Sequence, residues 1–266
     1  HSRSPLIHGY WLDRYGIAGS YTRVPVTPEA ATGFLRNLRA EGYAGCNVTI
    51  PHKEAAFAAA DEALPAARAA GAANTLWYED DRLLADNTDG AGFVSNVRST
   101  VPDFSIRDAV VVLLGAGGAA RGIVYALLQA GAREIRVFNR THARADAIAQ
   151  AFGERVLAYG WSERNVRVRA ASLLVNTTSL GMAHGEALDL DVGALDRGCV
   201  VADIVYVPLE TPLLAAARRR GLATVDGLGM LLHQAVPGFE HWFGVRPEVT
   251  DELRALLVRD IEGARC

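Results

Sequence analysis

Residues 109–131, AVVVLLGAGGAARGIVYALLQAG, constrain this chain more than any other stretch. Ala109 to Leu114 is a short, unbroken apolar run rich in β-branched residues. It reads as a strand covered on both faces, the environment of a parallel sheet. Gly115-Ala116-Gly117-Gly118-Ala119-Ala120 follows it. Ala120, Ile123, Val124 and Leu127 then recur at helical spacing, and Gly131 supplies a helix stop. Strand, glycine turn and helix together form the opening of a dinucleotide-binding unit. Gly115 permits the tight turn and Gly117 lets the backbone approach a pyrophosphate. The helix N-terminus offers that anion free N–H groups and the positive end of its dipole. Ala120 holds the third small position, which the fingerprint accommodates. Glycines also serve tight turns for steric reasons alone; the strand before and the helix after make the cofactor reading specific.

The next apolar run, Glu134 to Phe138, ends in Asn139-Arg140-Thr141. This is about 20 residues past the glycines, where an NAD-binding chain carries Asp or Glu for the ribose 2′-hydroxyl. A carboxylate there repels a 2′-phosphate. The amide, guanidinium and hydroxyl found instead, with Arg144 one helical turn beyond Arg140, neutralise and hydrogen-bond one. The expected cofactor is therefore NADP(H), held by Gly115, Ala116, Gly117, Gly118, Ala119, Asn139, Arg140, Thr141 and Arg144. The alternative reading makes the two arginines solvated residues at a helix start, where the dipole disfavours cations.

At 266 residues the chain can bury a substantial core and hold two domains. A formal net charge of −3 argues against nucleic acid as a partner. The basic run Arg218-Arg219-Arg220 suits the end of a helix. Three scattered cysteines, Cys46, Cys199 and Cys266, form no CxxC motif, and seven histidines show no ligand spacing. Neither a disulfide framework nor a metal site is expected. No run is long enough to span a bilayer and no leader is seen. The expectation is a cytoplasmic protein that acts on a small molecule, as a monomer or homodimer, without a membrane partner. The chain opens at His1 without a methionine, so an upstream segment is expected.

The fold class expected is α/β, in two domains. Residues 1–89 read as a smaller α/β substrate domain, 90–226 as a Rossmann-type NADP-binding domain, and 227–266 as C-terminal helices that return to the substrate domain. In the first part, Ser4-Pro5 caps a helix to about Tyr15, with Gly16 ending it. Tyr21 to Val26 reads as a strand, and Thr27-Pro28 caps a helix stopped by Gly42. Ala44 to Ile50 is a strand leading into Pro51-His52-Lys53 and an alanine-rich helix. Ala73 to Tyr78 and Arg82 to Asp86 are strands around a polar turn. Asn87-Thr88-Asp89-Gly90 opens a helix towards Arg98. Further strands are expected at 155–159, 173–177, 199–204 and 222–225, and helices at 230–243 and 248–261. The strand ends of the cofactor sheet are expected to face a cleft between the domains.

Two residues stand out as chemistry-bearing. Lys53 sits at a helix start, a poor place for a cation, although a lone lysine is ordinarily a surface residue. Asp89 sits at another helix start, where it or Thr88 could be an N-cap. If the two meet, the carboxylate orients the ammonium and the pair can pass a proton to a substrate oxygen. Asn47, Thr49 and Asn74 are polar residues in apolar strand patterns, equally suited to satisfying backbone groups or to touching a ligand. Ser2 and Ser4 flank a helix N-terminus that suits a carboxylate, with capping as the plain alternative for Ser4.

Taken in order, Ser2-Arg3-Ser4-Pro5, Asn47-Val48-Thr49-Ile50-Pro51-His52-Lys53, Asn74-Thr75-Leu76, Asp86-Asn87-Thr88-Asp89-Gly90, the glycine turn, Asn139-Arg140-Thr141 and Asp226-Gly227-Leu228-Gly229-Met230 with Gln234 resemble the shikimate dehydrogenase family over essentially the whole chain. The resemblance implies reversible reduction of 3-dehydroshikimate to shikimate with NADPH, a step towards the aromatic amino acids. It implies that Lys53 and Asp89 are the catalytic pair, and that Ser2, Ser4, Thr49, Asn74, Asp89, Tyr206 and Gln234 contact the substrate. It implies that Thr178, Ile204 and Gly227 line the nicotinamide side of the cofactor site. Family members usually carry a strand before the His-Ser motif, which this sequence lacks. Three other functions compete: a quinate or shikimate dehydrogenase of relaxed specificity, another NADP enzyme of similar build such as a methylene-tetrahydrofolate dehydrogenase, and a non-catalytic NADP(H) sensor. The Ser2/Ser4 pair with Asn74 and Asp89 argues against the second, and the presence of both Lys53 and Asp89 against the third.

Overall fold

The computed structural model describes residues 2–183 and 185–263. His1 and Cys266 lie outside the described residues. The chain divides into two compact units, His1–Asp89 with Leu232–Cys266, and Gly90–Leu231.

The first unit opens with α1 (Ser4–Tyr15), which buries Ile7, His8, Trp11 and Leu12 on one stripe and ends where Gly16 takes a left-handed φ of 63°. Next come α2 (Pro28–Arg36), β1 (Gly45–Asn47), α3 (Lys53–Ala59), β2 (Glu62–Ala63), α4 (Pro65–Ala70), β3 (Thr75–Glu79) and β4 (Arg82–Asp86). Their strands form one sheet in the order β1-β3-β4-β2, with β2 parallel to β4 and the other pairs antiparallel. Leu35, Leu38, Val48, Ala56, Leu76 and Leu83 form the core between sheet and helices.

Four local expectations change here. The cap of α1 is Arg3, so Ser4 lies inside the first turn, and the N–H of Ser4 donates to Ser2 Oγ. Residues 21–26 form no strand. Thr22 to Pro25 are all exposed, which removes the alternation a half-buried strand needs, and Pro25 has no N–H to donate. Thr27 makes no side-chain cap to α2, and that helix stops at Arg36, well before Gly42. Asn37 ends it, its side-chain amide donating to the carbonyl of Gly33 at 2.9 Å in competition with the helix ladder. The alanine-rich helix after Lys53 is two helices, α3 and α4. Between them the N–H of Asp61 donates to the carbonyl of Leu83 and its carboxylate accepts from the N–H of Leu83, pulling the chain out into β2.

The second unit holds α5 (Asp89–Thr100) from its second residue on, β5 (Val110–Leu114), α6 (Gly118–Gln129), β6 (Glu134–Asn139), α7 (His142–Phe152), β7 (Val156–Gly160), α8 (Arg164–Arg167), β8 (Leu173–Asn176), β9 (Val200–Asp203), α9 (Pro212–Arg219) and β10 (Thr224–Val225). Among the described residues its strands form one all-parallel sheet of six, in the order β10-β9-β8-β5-β6-β7. Every residue of β5 is buried. Val111 and Leu113 pack in one core layer with Ile123 and Leu127; Val112 and Leu114 pack in the other with Phe138 and Leu214. This is why the run reads as continuously apolar. Strand order reverses between β5 and β8, so the carboxyl end of β5, where Gly115 stands, is the topological switch point of the sheet.

The chain ends with α10 (Gly227–Phe243) and α11 (Asp251–Gly263). The return to the first unit begins at Leu232, not 227. Gly227 and Gly229 are kept with the second unit by close packing: a Cβ on Gly227 would stand 2.3 Å from the Ile204 carbonyl oxygen, and one on Gly229 1.8 Å from Asn96 Oδ1.

Candidate active site

In the first unit four distant segments converge on one carboxylate. Lys53, the first residue of α3, donates from Nζ to Asp89 Oδ2 at 2.5 Å. Asp89 begins α5, where a carboxylate is favoured by the dipole. The pair is semi-buried, with side-chain exposures of 24% and 11%, so it is shielded from bulk solvent and still reachable. The other oxygen of Asp89 accepts from Asn74 Nδ2 at 2.9 Å. Asn74 precedes β3 and is 2% exposed. The backbone N–H of Thr88 donates to its Oδ1 at 2.9 Å, which fixes which way the amide faces. The same Nδ2 lies 3.2 Å from Gln234 Oε1 on α10, and Thr88 Oγ1 donates to the Gln234 carbonyl at 2.8 Å. Of the residues expected to contact substrate, Asn74, Asp89 and Gln234 thus form one hydrogen-bonded cluster with Lys53.

The remaining expected contacts are placed separately. Ser2 Oγ and Ser4 Oγ stand 3.2 Å apart at the start of α1. Thr49 is exposed in the loop before Lys53, its carbonyl accepting from the N–H of His52. Tyr206 belongs to the second unit. Asn47 serves structure: Tyr21 Oη donates to its Oδ1 at 2.8 Å, and its Nδ2 lies 3.2 Å from both the Asn74 carbonyl and Thr75 Oγ1. His8 lies 3.3 Å from the same Oδ1, stacked on Tyr21 with ring centroids 4.1 Å apart. Burial holds its imidazole down at about 3, so it is neutral, and among the described residues its Nδ1 has no hydrogen-bond partner. An apolar groove along the free edge of β1, lined by Tyr21, Phe34, Leu38, Cys46 and Trp242, includes none of Lys53, Asn74, Asp89 and Gln234.

In the second unit the glycine turn has the features a nucleotide diphosphate requires. Gly115 takes a φ of 105°, and a Cβ on it would lie 2.7 Å from Thr177 Oγ1. Gly117 and Gly118 have open space where a Cβ would stand, so bare backbone faces outward. Gly117 caps α6 without a side chain, leaving the first N–H groups to an anion. Asn139 ties the end of β6 to the turn, accepting from the N–H of Ala116 at 3.2 Å and donating to the Thr141 carbonyl at 2.9 Å. Arg140, Thr141 and Arg144 are exposed just beyond, and among the described residues neither guanidinium pairs with a carboxylate. The donor set fits NADP(H), with Arg140 and Arg144 available to a 2′-phosphate and no acid at the end of β6.

Sequence reasoning missed a second buried polar cluster, at the ends of β8 and β9. Asn176 and Asp203 are the last residues of their strands, paired in register. Asp203 is 2% exposed, and burial pushes its carboxyl up to about 6. It accepts from Asn176 Nδ2 at 3.0 Å, from the N–H of Val205 at 3.0 Å and from Thr211 Oγ1 at 2.8 Å. The signal was present: each is a polar residue closing an otherwise apolar strand, LLVN and VVAD.

Comparison with known proteins gives the family. Residues 1–76 match the shikimate dehydrogenase substrate binding domain, residues 97–183 the shikimate/quinate 5-dehydrogenase family, and residues 227–257 the shikimate 5′-dehydrogenase C-terminal domain. A relative from Azorhizobium caulinodans named shikimate dehydrogenase (NADP(+)) is 56% identical over 98% of this chain and 93% of its own length. A crystal structure of shikimate 5-dehydrogenase from Thermus thermophilus, in complex with NADP(H) and shikimate, superposes with a TM-score of 0.84 at 34% identity, covering 100% of this chain and 94% of that one. Another shikimate dehydrogenase, in complex with NADP+, gives a TM-score of 0.88 at 31% identity over 98% of this chain and 92% of that one. The chain belongs to the shikimate dehydrogenase family of NADP-dependent oxidoreductases.

Proposed function

We propose that this chain catalyses the reversible NADPH-dependent reduction of 3-dehydroshikimate to shikimate, with Lys53 and Asp89 as its catalytic pair. The observation that carries the reading is the 2.5 Å contact between Lys53 Nζ and Asp89 Oδ2, with Asn74 holding the other carboxylate oxygen. NADPH supplies the hydride that adds to the ring ketone carbon. The Lys53 ammonium donates a proton or a strong hydrogen bond to the ketone oxygen as it becomes an alkoxide. Asp89 orients that ammonium and accepts a hydrogen bond from a neighbouring ring hydroxyl. Asn74, Gln234 and Thr49 contact the ring, while Ser2, Ser4 and Tyr206 hold the carboxylate. Gly115 to Ala119 cradle the pyrophosphate, and Asn139, Arg140, Thr141 and Arg144 form the 2′-phosphate side. Thr178, Ile204 and Gly227 form the nicotinamide side.

The domain roles follow the same reading: the unit with Lys53 and Asp89 binds substrate, the all-parallel unit binds NADP(H), and α10 and α11 complete the former. NADPH as reductant fits a reaction in the cytoplasm, and a monomer or a homodimer satisfies it. Among the described residues no helix is long and apolar enough to cross a membrane. The test is oxidation of NADPH by the purified chain with 3-dehydroshikimate, with NADH run alongside. Rapid oxidation of NADPH and slow oxidation of NADH are expected; no oxidation of either contradicts the reading. The matched family's description names quinate beside shikimate, so quinate with NADP+ belongs in the same assay.

A further inference from the structure

The second unit contains a buried carboxylate that the proposed chemistry does not use. Asp203 has three hydrogen-bond donors, and among the described residues no cation pairs with it. A buried, unpaired carboxylate is costly, and its bonds run outward in two directions. Through Asn176 it reaches Thr178: Asn176 Oδ1 accepts from Thr178 Oγ1 at 2.7 Å and from the Thr178 N–H at 3.1 Å. Thr178 in turn abuts the glycine turn, since a Cβ on Gly115 would lie 2.9 Å from Thr178 Cγ2. Through the N–H of Val205, Asp203 fixes the backbone just after β9. That backbone abuts Gly227, where a Cβ would meet the carbonyl oxygens of Ile204 and Val205 at 2.3 and 2.8 Å. Thr211, the third donor, ties the start of α9 to the same carboxylate.

We propose that Asp203, acting through Asn176, is the positioning residue for the nicotinamide side of the cofactor site, holding Thr178, Ile204 and Gly227 in register while the glycine turn holds the phosphates independently. This rests on the NADP reading given above. The two parts of the cofactor therefore answer differently to a change at Asp203. NADPH senses the whole site, whereas 2′-phospho-ADP-ribose, which lacks the nicotinamide, senses the glycine turn and the arginines alone.

The experiment titrates the free protein with NADPH, followed by its fluorescence, and then displaces it with 2′-phospho-ADP-ribose. Wild type, Asp203→Asn and Asn176→Ala are compared. Asp203→Asn keeps shape and removes the acceptor for Thr211; Asn176→Ala cuts the link to Thr178 and takes one of its three donors from the carboxylate, whose charge it keeps. Both variants are expected to weaken NADPH by about tenfold, the loss of one charge-assisted hydrogen bond, with 2′-phospho-ADP-ribose held within about twofold of wild type. Should Asp203→Asn fail to fold, the same split is read from Asn176→Ala. Equal weakening of both ligands would reduce Asp203 to general support of the fold and overturn the proposal, as would NADPH binding that neither variant disturbs. A wild-type protein that binds neither ligand sinks the cofactor reading itself, a result distinct from either of these.

Discussion

The glycine turn of the second unit and the Lys53–Asp89 cluster of the first are built in opposite ways. The turn is made by one continuous segment, residues 109–131, whose distinguishing features lie in its backbone: a positive φ at Gly115 and bare N–H groups at the start of α6. The cluster draws single residues from positions 53, 74, 88–89 and 234, and is held by the hydrogen bonds among them. A backbone site is robust to side-chain change and depends on room for the ligand. A side-chain cluster is sensitive to each member, because removing one leaves partners buried and unsatisfied. Substitutions in the first unit should therefore change chemistry and spare cofactor affinity, and those at the glycine turn and its arginines should do the reverse.

The largest effect expected is in the cluster. Asp89→Asn lowers turnover by about 10²-fold, since a neutral amide cannot balance the ammonium. If Lys53 and Asp89 act as one unit, the double variant Lys53→Met/Asp89→Asn is scarcely slower than the worse single one. Steady-state kcat for the set decides this; losses that multiply would show two independent groups. Next in size is the arginine beyond the turn. Arg140→Ala weakens NADPH by about tenfold and leaves NADH nearly unchanged, as loss of a phosphate contact requires. Equal losses for the two cofactors would remove the 2′-phosphate assignment. Smaller again is the double change Ser2→Ala/Ser4→Ala, which raises KM for shikimate by about fivefold if the hydroxyls hold a carboxylate. Unchanged KM with a lower melting temperature would make them supports of α1 alone.

The smallest effect is on stability, and it separates the units by sign. Burial holds His8 down at about 3 from its ordinary 6.5. As pH falls between these values the unfolded chain takes a proton that the native one refuses, so the first unit loses stability. Asp203 is raised from 3.8 to about 6. Between those values the native state keeps a proton that the unfolded chain has released, so lowering pH through this window stabilises the second unit. Moving from pH 7 to 4.5, His8→Leu should lose less stability than wild type, and Asp203→Asn should lose more. Denaturation of the three proteins at both pH values measures this; parallel losses would contradict it.

The contrast also explains what could be read from the sequence. β5, β6 and the turn were legible because covering on both faces leaves an unbroken apolar run and the ligand contact lies in contiguous glycines. Lys53 and Asp89 were legible as residues at helix starts, and their contact was not, since nothing in the spacing brings α3 to the start of α5. Asn74 looked equally like a structural amide and a ligand contact, and its position in the chain did not show the protein partners it has, Thr88 and Asp89. The segment 21–26 looked like a strand because its Val and Thr residues favour extended backbone. Pairing decides a strand, however, and among the described residues no strand pairs with it. Asn176 and Asp203 were passed over because one polar residue at a strand end carries little information until register sets two of them side by side.

The central claim is that the chemistry resides in the Lys53–Asp89 pair and cofactor binding elsewhere. It is tested most directly on Lys53→Met, which keeps side-chain length without charge, by measuring single-turnover hydride transfer at saturating substrate together with the NADPH dissociation constant. A rate lower by roughly 10²–10⁴-fold, the usual contribution of one positioned acid–base group, with the dissociation constant unchanged, is the expected result. Hydride transfer at the wild-type rate would contradict the account.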